Sequence, residues 1–361
     1  MIYPSKFISL VGKVRSEDDQ YVQFIGQGNP NAQILLVGKD CPIDRSTTRS
    51  EGCYEMEYLH NAAQWENNIV KQTDPLDVID WVATCAIGED KYNPLYPYRG
   101  QHNFKAVRSE DGELLNGGAS ASWCAYQKLV DKILHYPSPS PDIDFHRFTF
   151  HTVLSSINSP VDGYSVDTAK SVKSRCKILF RDSYFQSFPV IVLACGRFVK
   201  DYHIDIEDVF NQKYLSMDQD GKDWMRLFEK DGRLLIHTRP ISFCSDVALD
   251  KIASKVQHHL EKPLLKYCLY YDGSDDSCEN SKWGFYERHW LYGSVRTNDQ
   301  EFQCEVTDMI HNGISEDWID SFGIPRTLVG IFFNRYCHWV GLFDIKDFMK
   351  WFEGVRNKIE C

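Results

Sequence analysis

Two polar residues follow apolar runs that have the length of buried strands. The run 34–37 is followed by Gly38 and Asp40, and the run 234–236, within a predicted strand that begins at Arg233, is followed by His237. A carboxylate can stabilise a developing cation and orient or activate water, and a histidine can donate a hydrogen bond to a developing anion. The two residues indicate acid–base or electrostatic catalysis. The alternative is an ordinary turn or cap for Asp40 and a satisfied, partly buried imidazole for His237.

Strands that alternate with helices must position these residues. The sequence predicts strands at 34–37, 146–157, 189–196 and 233–242, with helical periodicity between them. Alternation of this kind predicts right-handed crossovers and a parallel sheet that helices cover on both sides. The predicted fold is therefore α/β, a three-layer α/β/α arrangement with a four-stranded parallel central sheet. Asp40 falls at the carboxyl end of a strand, where open α/β sheets place their ligands.

The length of the chain predicts two domains. A single hydrophobic core rarely organises 361 residues, and the pattern changes after Lys262 and Pro263. We assign residues 1–262 to the α/β domain and residues 263–361 to a small, aromatic-rich α+β domain. The role of this second domain stays unassigned. A contact with a protein partner or within an oligomer is one possibility for it.

Composition excludes several classes of protein. The formal net charge is −11, which makes general coating of duplex DNA unexpected. None of the twelve cysteines lies within four positions of another, so the sequence gives no support for a zinc ribbon or an iron–sulfur cluster, and we expect no metal or other cofactor. No apolar run approaches the length of a signal peptide or a membrane span. We expect a cytoplasmic protein without a membrane contact.

Four segments carry a resemblance to a known family. The order of GNPNAQILLVGKD, FTFHTVL, PVIVLACG and LLIHTRPIS resembles that of the uracil-DNA glycosylase superfamily, over roughly the first two-thirds of the chain. GKDCPI stands where that family has the strand end that handles water, and HTRPIS stands where it has an H-P-S-P-L-S-type strand end. The iron–sulfur branch of the family is disfavoured, because the first cysteine is Cys41 and the upstream cysteine pair has no counterpart.

The resemblance implies a role for each strand end. Asp40 would stabilise the sugar cation and handle the attacking water, and His237 would donate to the departing base. Ile241 stands where the family has its inserting leucine, which fills the gap left by a flipped nucleotide. Ser242 is retained at the end of the motif. Lys39 and Arg239 depart from the family pattern, and we place both on a rim that faces DNA phosphates.

Three residues are implied in base binding. Gly38 is retained in the first motif, and Tyr54 in EGCY resembles the aromatic residue that stacks on the base. His151 in FHTVL stands where the family often has an asparagine that reads the base edge. Imidazole cannot reproduce the paired donor and acceptor of an amide, so a strict preference for uracil does not follow.

Two functions from different classes remain open at this point. One is a hydrolase that cleaves the N-glycosidic bond of a flipped, deaminated base in DNA, with uracil as the first candidate. The other is a glycosylase-like module without catalytic activity that binds a nucleotide, a nucleic acid or a protein. The departures at Lys39, Cys41, His151, Thr238 and Arg239 favour this second function. A carboxylate and an imidazole that face one pocket would favour the first.

Overall fold

The structure, a computed structural model, describes most of the first 260 residues and four strands beyond them. The described residues are 1, 3–43, 48–75, 77–79, 92–97, 99–107, 117–134, 139–159, 164–260, 264–271, 283–287, 332–333 and 339–344. The chain divides into two compact units. One comprises Met1–Val130 with Ser140–His259, and the other comprises Asp131–Pro139 with Leu260–Cys361. The sequence-based boundary at Lys262 and Pro263 lies outside the described residues.

One mixed β-sheet organises the first unit. Numbered in chain order, the strands described in this part of the chain are β1 (Gln27–Gly28), β2 (Ile34–Asp40), β3 (His102–Lys105), β4 (Gly118–Ala119), β5 (Thr149–Ser155), β6 (Val190–Leu193), β7 (Tyr214–Asp220), β8 (Asp223–Lys230) and β9 (Arg233–Thr238). Seven of them form a sheet in the order β1-β5-β2-β6-β9-β8-β7, and β3 pairs with β4 separately. Within the sheet β5, β2, β6 and β9 are mutually parallel, whereas β1, β8 and β7 each run antiparallel to a neighbour.

Helices fill the connections between these strands. They are α1 (Ser5–Ser16), α2 (Thr48–Tyr54), α3 (Asn61–Lys71), α4 (Ala121–Ile133), α5 (Val166–Arg175), α6 (Phe198–Asp201), α7 (Ile206–Phe210) and α8 (Asp246–His259). Short π-helical turns follow α2 and α5. The helix α4 begins after Ser120, whose hydroxyl accepts a hydrogen bond from the Trp123 backbone N–H at 3.2 Å. A serine at this position satisfies one of the backbone donors at the start of a helix.

The four central strands are the ones that the sequence predicts, but the sheet is larger. The prediction of four parallel strands is wrong, because the sheet has seven strands and is mixed. The hairpin of β7 and β8 gives a weak sequence signal. Every residue of β7 is exposed or half-exposed, so this edge strand has no buried apolar run. The strand β1 has only two residues, which is too short for any periodicity. The general α/β class is confirmed.

Side chains along β2 alternate between the two faces of the sheet. Val37 points to the face that α1 and α3 cover, where it shares a core with Phe7 and Trp65. Gly38 points to the opposite face, where the Tyr126 hydroxyl of α4 lies 3.3 Å from the position a Cβ atom would have. We call these the α1 face and the α4 face. Because successive side chains alternate, Asp40 lies on the α4 face with Gly38.

A buried arginine ties β5 to the segment that precedes β1. The Arg175 guanidinium is fully enclosed and donates to the carbonyl oxygens of Val153 (3.0 Å), Tyr21 (3.1 Å) and Phe24 (2.5 Å). It also donates to the Thr152 hydroxyl at 2.8 Å. Burial lowers its pKa to about 10. Neutral oxygens thus hold this charge, and they fix the end of β5 beside the Phe24 ring.

The second unit contains an antiparallel sheet. Its described strands are β10 (Leu264–Tyr271), β11 (Trp283–Glu287), β12 (Phe332–Phe333) and β13 (Trp339–Asp344), in the order β11-β10-β13-β12. The strand β10 overlaps the segment KYCLYYD and the strand β11 falls within WGFYERHWLYG, both of which the sequence predicts as strands. The helices predicted in this part of the chain lie outside the described residues.

Candidate functional site

The strand order places a crevice at the carboxyl end of β2. Along the chain the parallel strands are β2, β5, β6 and β9, and in space they lie in the order β5-β2-β6-β9. The chain therefore passes from β2 to β5 on one side of β2, and then crosses back to β6 on the other side of β2. Open α/β sheets bind ligands where the direction of winding reverses, outside the carboxyl ends of the strands. In this protein that point lies between β2 and β6, next to Asp40.

The Asp40 carboxylate is held at this point by one of its two oxygens. Its Oδ2 accepts hydrogen bonds from the Ser159 backbone N–H (2.9 Å) and from the Ser159 hydroxyl, and it lies 3.5 Å from Lys39 Nζ. Its Oδ1 makes no hydrogen bond to any residue that the structure describes. The side chain is 16% exposed. The carboxylate therefore has a fixed orientation and one oxygen that can receive a water molecule.

A recess lies over Gly38 on the same face of the sheet. The position that a Cβ atom of Gly38 would occupy is 3.3 Å from the Tyr126 hydroxyl, 3.4 Å from His151 Nε2 and 3.4 Å from a methyl group of Val153. The glycine thus leaves room that a larger residue would fill. We use the name Gly38 recess for the space bounded by Gly38, Tyr126, His151 and Val153. The structure brings Gly38 and His151 together, and Asp40 is two residues further along β2.

Aromatic rings extend this recess along the α4 face. Tyr126 and His151 lie with ring centroids 5.2 Å apart, and Phe145 contacts both at 5.6 and 6.4 Å. His146 packs between Phe145 (3.8 Å) and Trp123 (4.6 Å). Both ring nitrogens of His146 are buried, and neither has a hydrogen-bond partner among the described residues. Burial lowers its pKa well below the usual value, so the imidazole is neutral.

His237 does not face this recess. His237 is the register partner of Leu193 on β6, and Leu193 is the register partner of Val37 on β2. Register partners in a parallel sheet lie on the same face, so the His237 ring lies on the α1 face, opposite Asp40. Its Nε2 donates to the Gly196 carbonyl at 3.0 Å, and the Trp224 ring stands edge-on at 5.0 Å. Burial lowers its pKa to about 4. Because Nε2 carries the hydrogen, the buried Nδ1 is left as an acceptor, which cannot donate to a departing anion.

Tyr54 lies inside an aromatic stack. The ring is 2% exposed and stacks on Tyr58 at 5.4 Å, and Tyr58 stacks on Phe24 at 4.2 Å. The same cluster includes Cys41 and Val153, and Val153 also borders the Gly38 recess. Tyr54 is therefore part of the packing behind the recess. In this arrangement it does not present an open ring on which a base could stack.

The residues predicted to contact DNA have unequal access. Ser242 is exposed, whereas Ile241 is 3% exposed and belongs to the protein interior. Arg239 forms an ion pair with Asp223 at 3.2 Å. Lys39 is half-buried and lies beside Asp40 with its Nζ 5.7 Å from the centre of the Phe198 ring.

Sequence reasoning missed two residues of this region. Phe243 is 65% exposed and is the apolar side chain that the loop after β9 presents to solvent. A large apolar residue in a polar strand-end loop is the available signal, but the motif resemblance points to Ile241 instead. Tyr126 gave no signal of its own, because helical periodicity places it among ordinary core positions of α4.

No family model, curated protein or solved structure matches this chain. Within the part that the structure describes, no three histidine, cysteine or acidic side chains form a group suited to a metal ion. Every helix in the same part is too short or too polar to cross a bilayer.

Proposed function

We propose that this chain is a DNA glycosylase-like hydrolase that cleaves the N-glycosidic bond of a flipped, deaminated base, with uracil as the first candidate. One observation carries the proposal. Asp40 keeps a carboxylate oxygen without a partner among the described residues at the switch point of the sheet, and Gly38, two residues earlier on β2, adjoins His151 and Tyr126. The strand-end motifs in the order typical of the uracil-DNA glycosylase superfamily support it independently. The corresponding fold is a three-layer α/β/α core, with the second unit as a small α+β domain.

The chemistry assigns separate tasks to the two sides of the crevice. As the bond breaks, its electron pair leaves with the base and positive charge develops on the sugar. Asp40 stabilises that charge and receives a proton from the attacking water, whose oxygen forms the new bond to the sugar. Donors in the Gly38 recess stabilise the negative charge on the base, which is released after it gains a proton. No metal or cofactor is needed for this balance.

The position of His237 limits its role in this reaction. We predicted that it donates to the departing base, but in the described arrangement its donor is bound to the Gly196 carbonyl on the opposite face. It takes that role only if this hydrogen bond opens and the ring leaves Trp224. His151 and Tyr126 need no such movement, because they already border the recess.

Contacts with DNA are proposed for the loop after β9 and for the rim beside Asp40. Phe243 is the exposed apolar side chain with the size to fill a gap in the base stack, a role that the resemblance gives to Ile241. Ser242 adjoins it and is exposed. Lys39 and Arg239 remain candidates for phosphate contacts, and each would have to exchange its present acidic neighbour for a phosphate.

A base-release experiment tests the proposal. The full chain and an Asp40→Asn variant are incubated with single- and double-stranded oligonucleotides that contain uracil, hypoxanthine or xanthine. Because a positioned acid–base group contributes roughly 10²–10⁴-fold, we expect release to fall by that factor in the variant. Asp201→Asn, which changes an exposed carboxylate on α6, is the matched control and should leave release unchanged. If the wild type releases no base from any of these substrates, the hydrolase proposal is wrong.

The second candidate is a binding module without catalysis. The enclosure of His237 and Tyr54 favours it, since both groups are occupied by protein contacts. The salt dependence of oligonucleotide binding distinguishes a module that binds nucleic acid from one that binds another partner. Affinity that falls steeply with salt, while no base is released, indicates a nucleic-acid-binding module. Absence of oligonucleotide binding at any salt concentration indicates a partner of another kind.

A further inference from the structure

Two hydrogen-bonding groups in the Gly38 recess have no partner in the part of the chain that the structure describes. His151 and Tyr126 are 7% and 6% exposed, so both are more than nine-tenths buried. Neither His151 Nε2 nor the Tyr126 hydroxyl makes a hydrogen bond to a residue that the structure describes. Both atoms lie within 3.4 Å of the Cβ position of Gly38. Neither atom is among the fully enclosed polar atoms that lack a partner within the described residues, so each reaches the recess, where a ligand can pair it.

A chain of side chains behind His151 begins at the protein backbone. Asn61 Oδ1 accepts from the backbone N–H groups of Ile25 (3.0 Å) and Gly26 (3.3 Å), which fixes the amide so that Nδ2 is the donor. Nδ2 donates to the Gly26 carbonyl at 3.0 Å. The Asn61 side chain also neighbours Tyr92, whose pKa is raised by burial and by the charge of Glu57 and lowered by Asn61.

The chain continues from Tyr92 to the histidine ring. The Tyr92 hydroxyl donates to Gln27 Oε1, 3.1 Å away. The Gln27 amide nitrogen then faces His151 Nδ1 at 3.2 Å and donates to it. Reversing the Gln27 amide would set its NH₂ group against the Tyr92 hydroxyl hydrogen. We refer to Asn61, Tyr92, Gln27 and His151 as the relay.

The relay determines which nitrogen of His151 carries the hydrogen. Burial lowers the pKa of His151 to about 4, so the ring is neutral near pH 7 and has one N–H group. Nδ1 accepts from Gln27, and the hydrogen is therefore on Nε2, the atom that borders the recess. A neutral imidazole can be a donor or an acceptor at a given position. In this protein it is fixed as a donor.

We propose that His151 Nε2–H and the Tyr126 hydroxyl select a base by its carbonyl oxygen, and that Gln27 and Tyr92 are positioning residues that fix His151 as the donor. This inference rests on the proposed function and deepens it by assigning the specificity. Two donors that converge on one small recess match an acceptor. An exocyclic amino group in the same place would set N–H against N–H and leave the protein donors unpaired.

The assignment has a direct chemical meaning. Deamination replaces an exocyclic amino group by a carbonyl oxygen, so the donor recess distinguishes the product base from its parent. The His151 substitution therefore does not need to copy the donor and acceptor pair of an amide. It reads one atom, and the recess accepts uracil and hypoxanthine alike while it rejects cytosine and adenine.

Binding of free bases tests the specificity without requiring hydrolysis. The full chain, labelled with ¹⁵N-histidine, is titrated with uracil, hypoxanthine, cytosine and adenine and followed by NMR. A correct hydrogen-bond match is worth about 5–150-fold against a mismatch. We expect the two carbonyl bases to bind at least tenfold more tightly than the two amino bases. Equal affinity for the two classes, or no binding of any base, overturns the inference.

Variants separate the donor from the relay. Tyr126→Phe keeps the ring and removes one donor, and we expect about tenfold weaker binding of uracil. Tyr184→Phe, which removes a buried hydroxyl from the α1 face, is the matched control and should bind as the wild type does. A Tyr126→Phe variant with unchanged affinity and selectivity contradicts the donor role.

The relay has a spectroscopic signature that packing alone would not change. In the wild type the ¹⁵N shifts of His151 should report a hydrogen on Nε2. Gln27→Leu removes the donor to Nδ1, and we expect a mixture of the two tautomers with weaker selection against cytosine. An unchanged tautomer in Gln27→Leu contradicts the relay. Selective binding by a chain that releases no base supports this inference and overturns the hydrolase proposal.

Discussion

His151 and His237 are alike in burial and differ in what they can do. For each, burial lowers the pKa to about 4, so both rings are neutral near pH 7. His151 engages Nδ1 with Gln27 and leaves Nε2 beside the Gly38 recess. His237 donates its Nε2 hydrogen to Gly196 and stands against Trp224 on the other face of the sheet.

The comparison shows that burial alone does not identify a functional histidine. What decides is which ring nitrogen has a partner and which face of the sheet the ring occupies. At His237 the donor, Nε2–H, is bound to the Gly196 carbonyl, and the acceptor, Nδ1, is buried. At His151 it uses the acceptor and leaves the donor available. The motif that resembles a known family contains His237, but the available donor lies on the strand with the less typical sequence.

The largest expected effect comes from removing each ring in turn. His151→Leu should lower base release by roughly 10²–10³-fold, because it removes a donor to the developing anion. His237→Leu should change release only a few-fold, since its donor faces Gly196. Single-turnover rates on a uracil oligonucleotide measure both, with thermal unfolding as the control for folding. The reverse order would mean that His237 turns toward the base during the reaction.

The pH dependence of stability tests the feature that the two histidines share. Each has a folded-state pKa near 4 and a usual value of 6.5, so the unfolded chain binds more protons between these pH values. The contribution of the two neutral rings to the free energy of unfolding is complete above pH 6.5. It is lost as the pH falls toward 4, by up to about 1.4 kcal/mol per pH unit for each ring. Urea unfolding between pH 4.5 and 7 measures the slope.

Single replacements show how much each histidine contributes to the pH dependence of the free energy of unfolding. His151→Gln and His237→Gln should each reduce it by a similar amount, since burial is the main cause of both shifts. His203→Gln, at an exposed position, is the control. A slope that neither replacement reduces would show that the two rings are accessible to protons in the folded state.

Filling the recess should separate the two histidines without altering either. A Cβ atom at Gly38 would stand 3.3–3.4 Å from the Tyr126 hydroxyl and His151 Nε2, and far from His237. We expect Gly38→Ala to weaken uracil binding by about tenfold, in line with a lost hydrogen bond to a buried donor. Gly12→Ala is the control, because no atom lies within 4 Å of its Cβ position. Unchanged binding in Gly38→Ala would place the base elsewhere.

The smallest effect is expected at the loop that follows His237. Phe243→Ser should reduce affinity for a uracil-containing duplex by a few-fold, because an apolar side chain no longer fills the gap in the stack. Its affinity for free uracil should not change. Val247→Ser alters a similarly exposed apolar residue on α8 and serves as the control. Equal losses in both variants would indicate a general apolar contact rather than insertion.

The sequence predicts the centre of this fold better than its edges. Strands β2, β6 and β9 have interiors buried on both faces and contain continuous apolar runs that are visible without a structure. Strand β5 is equally buried, but its sequence, TFHTVLS, mixes polar residues with apolar ones. The strand β7 is solvated along its length and gives no such run. For the same reason Asp40 could be placed at a strand end, because the position of a strand end follows directly from the run before it.

The candidate site could be predicted only in part. Gly38 and His151 were expected near a base, and they do lie together because β2 and β5 are paired neighbours. Tyr126 and Gln27 could not be foreseen, since their contacts depend on how α4 and β1 pack against those strands. The sequence also could not predict which face of the sheet His237 occupies, because that depends on the exact register of β9 against its neighbours.

The hairpin edge has a consequence for the behaviour of the purified protein. β7 is the last strand of the sheet, and it exposes Tyr214, Leu215 and Met217 along an edge with no further strand in the described sheet. Such an edge is a template for pairing between molecules. The irregular register after Tyr214 and the carboxylates of Asp218 and Asp220 oppose that pairing. Concentrated solutions should therefore remain clear, and turbidity should increase when Asp218 and Asp220 are both replaced by asparagine.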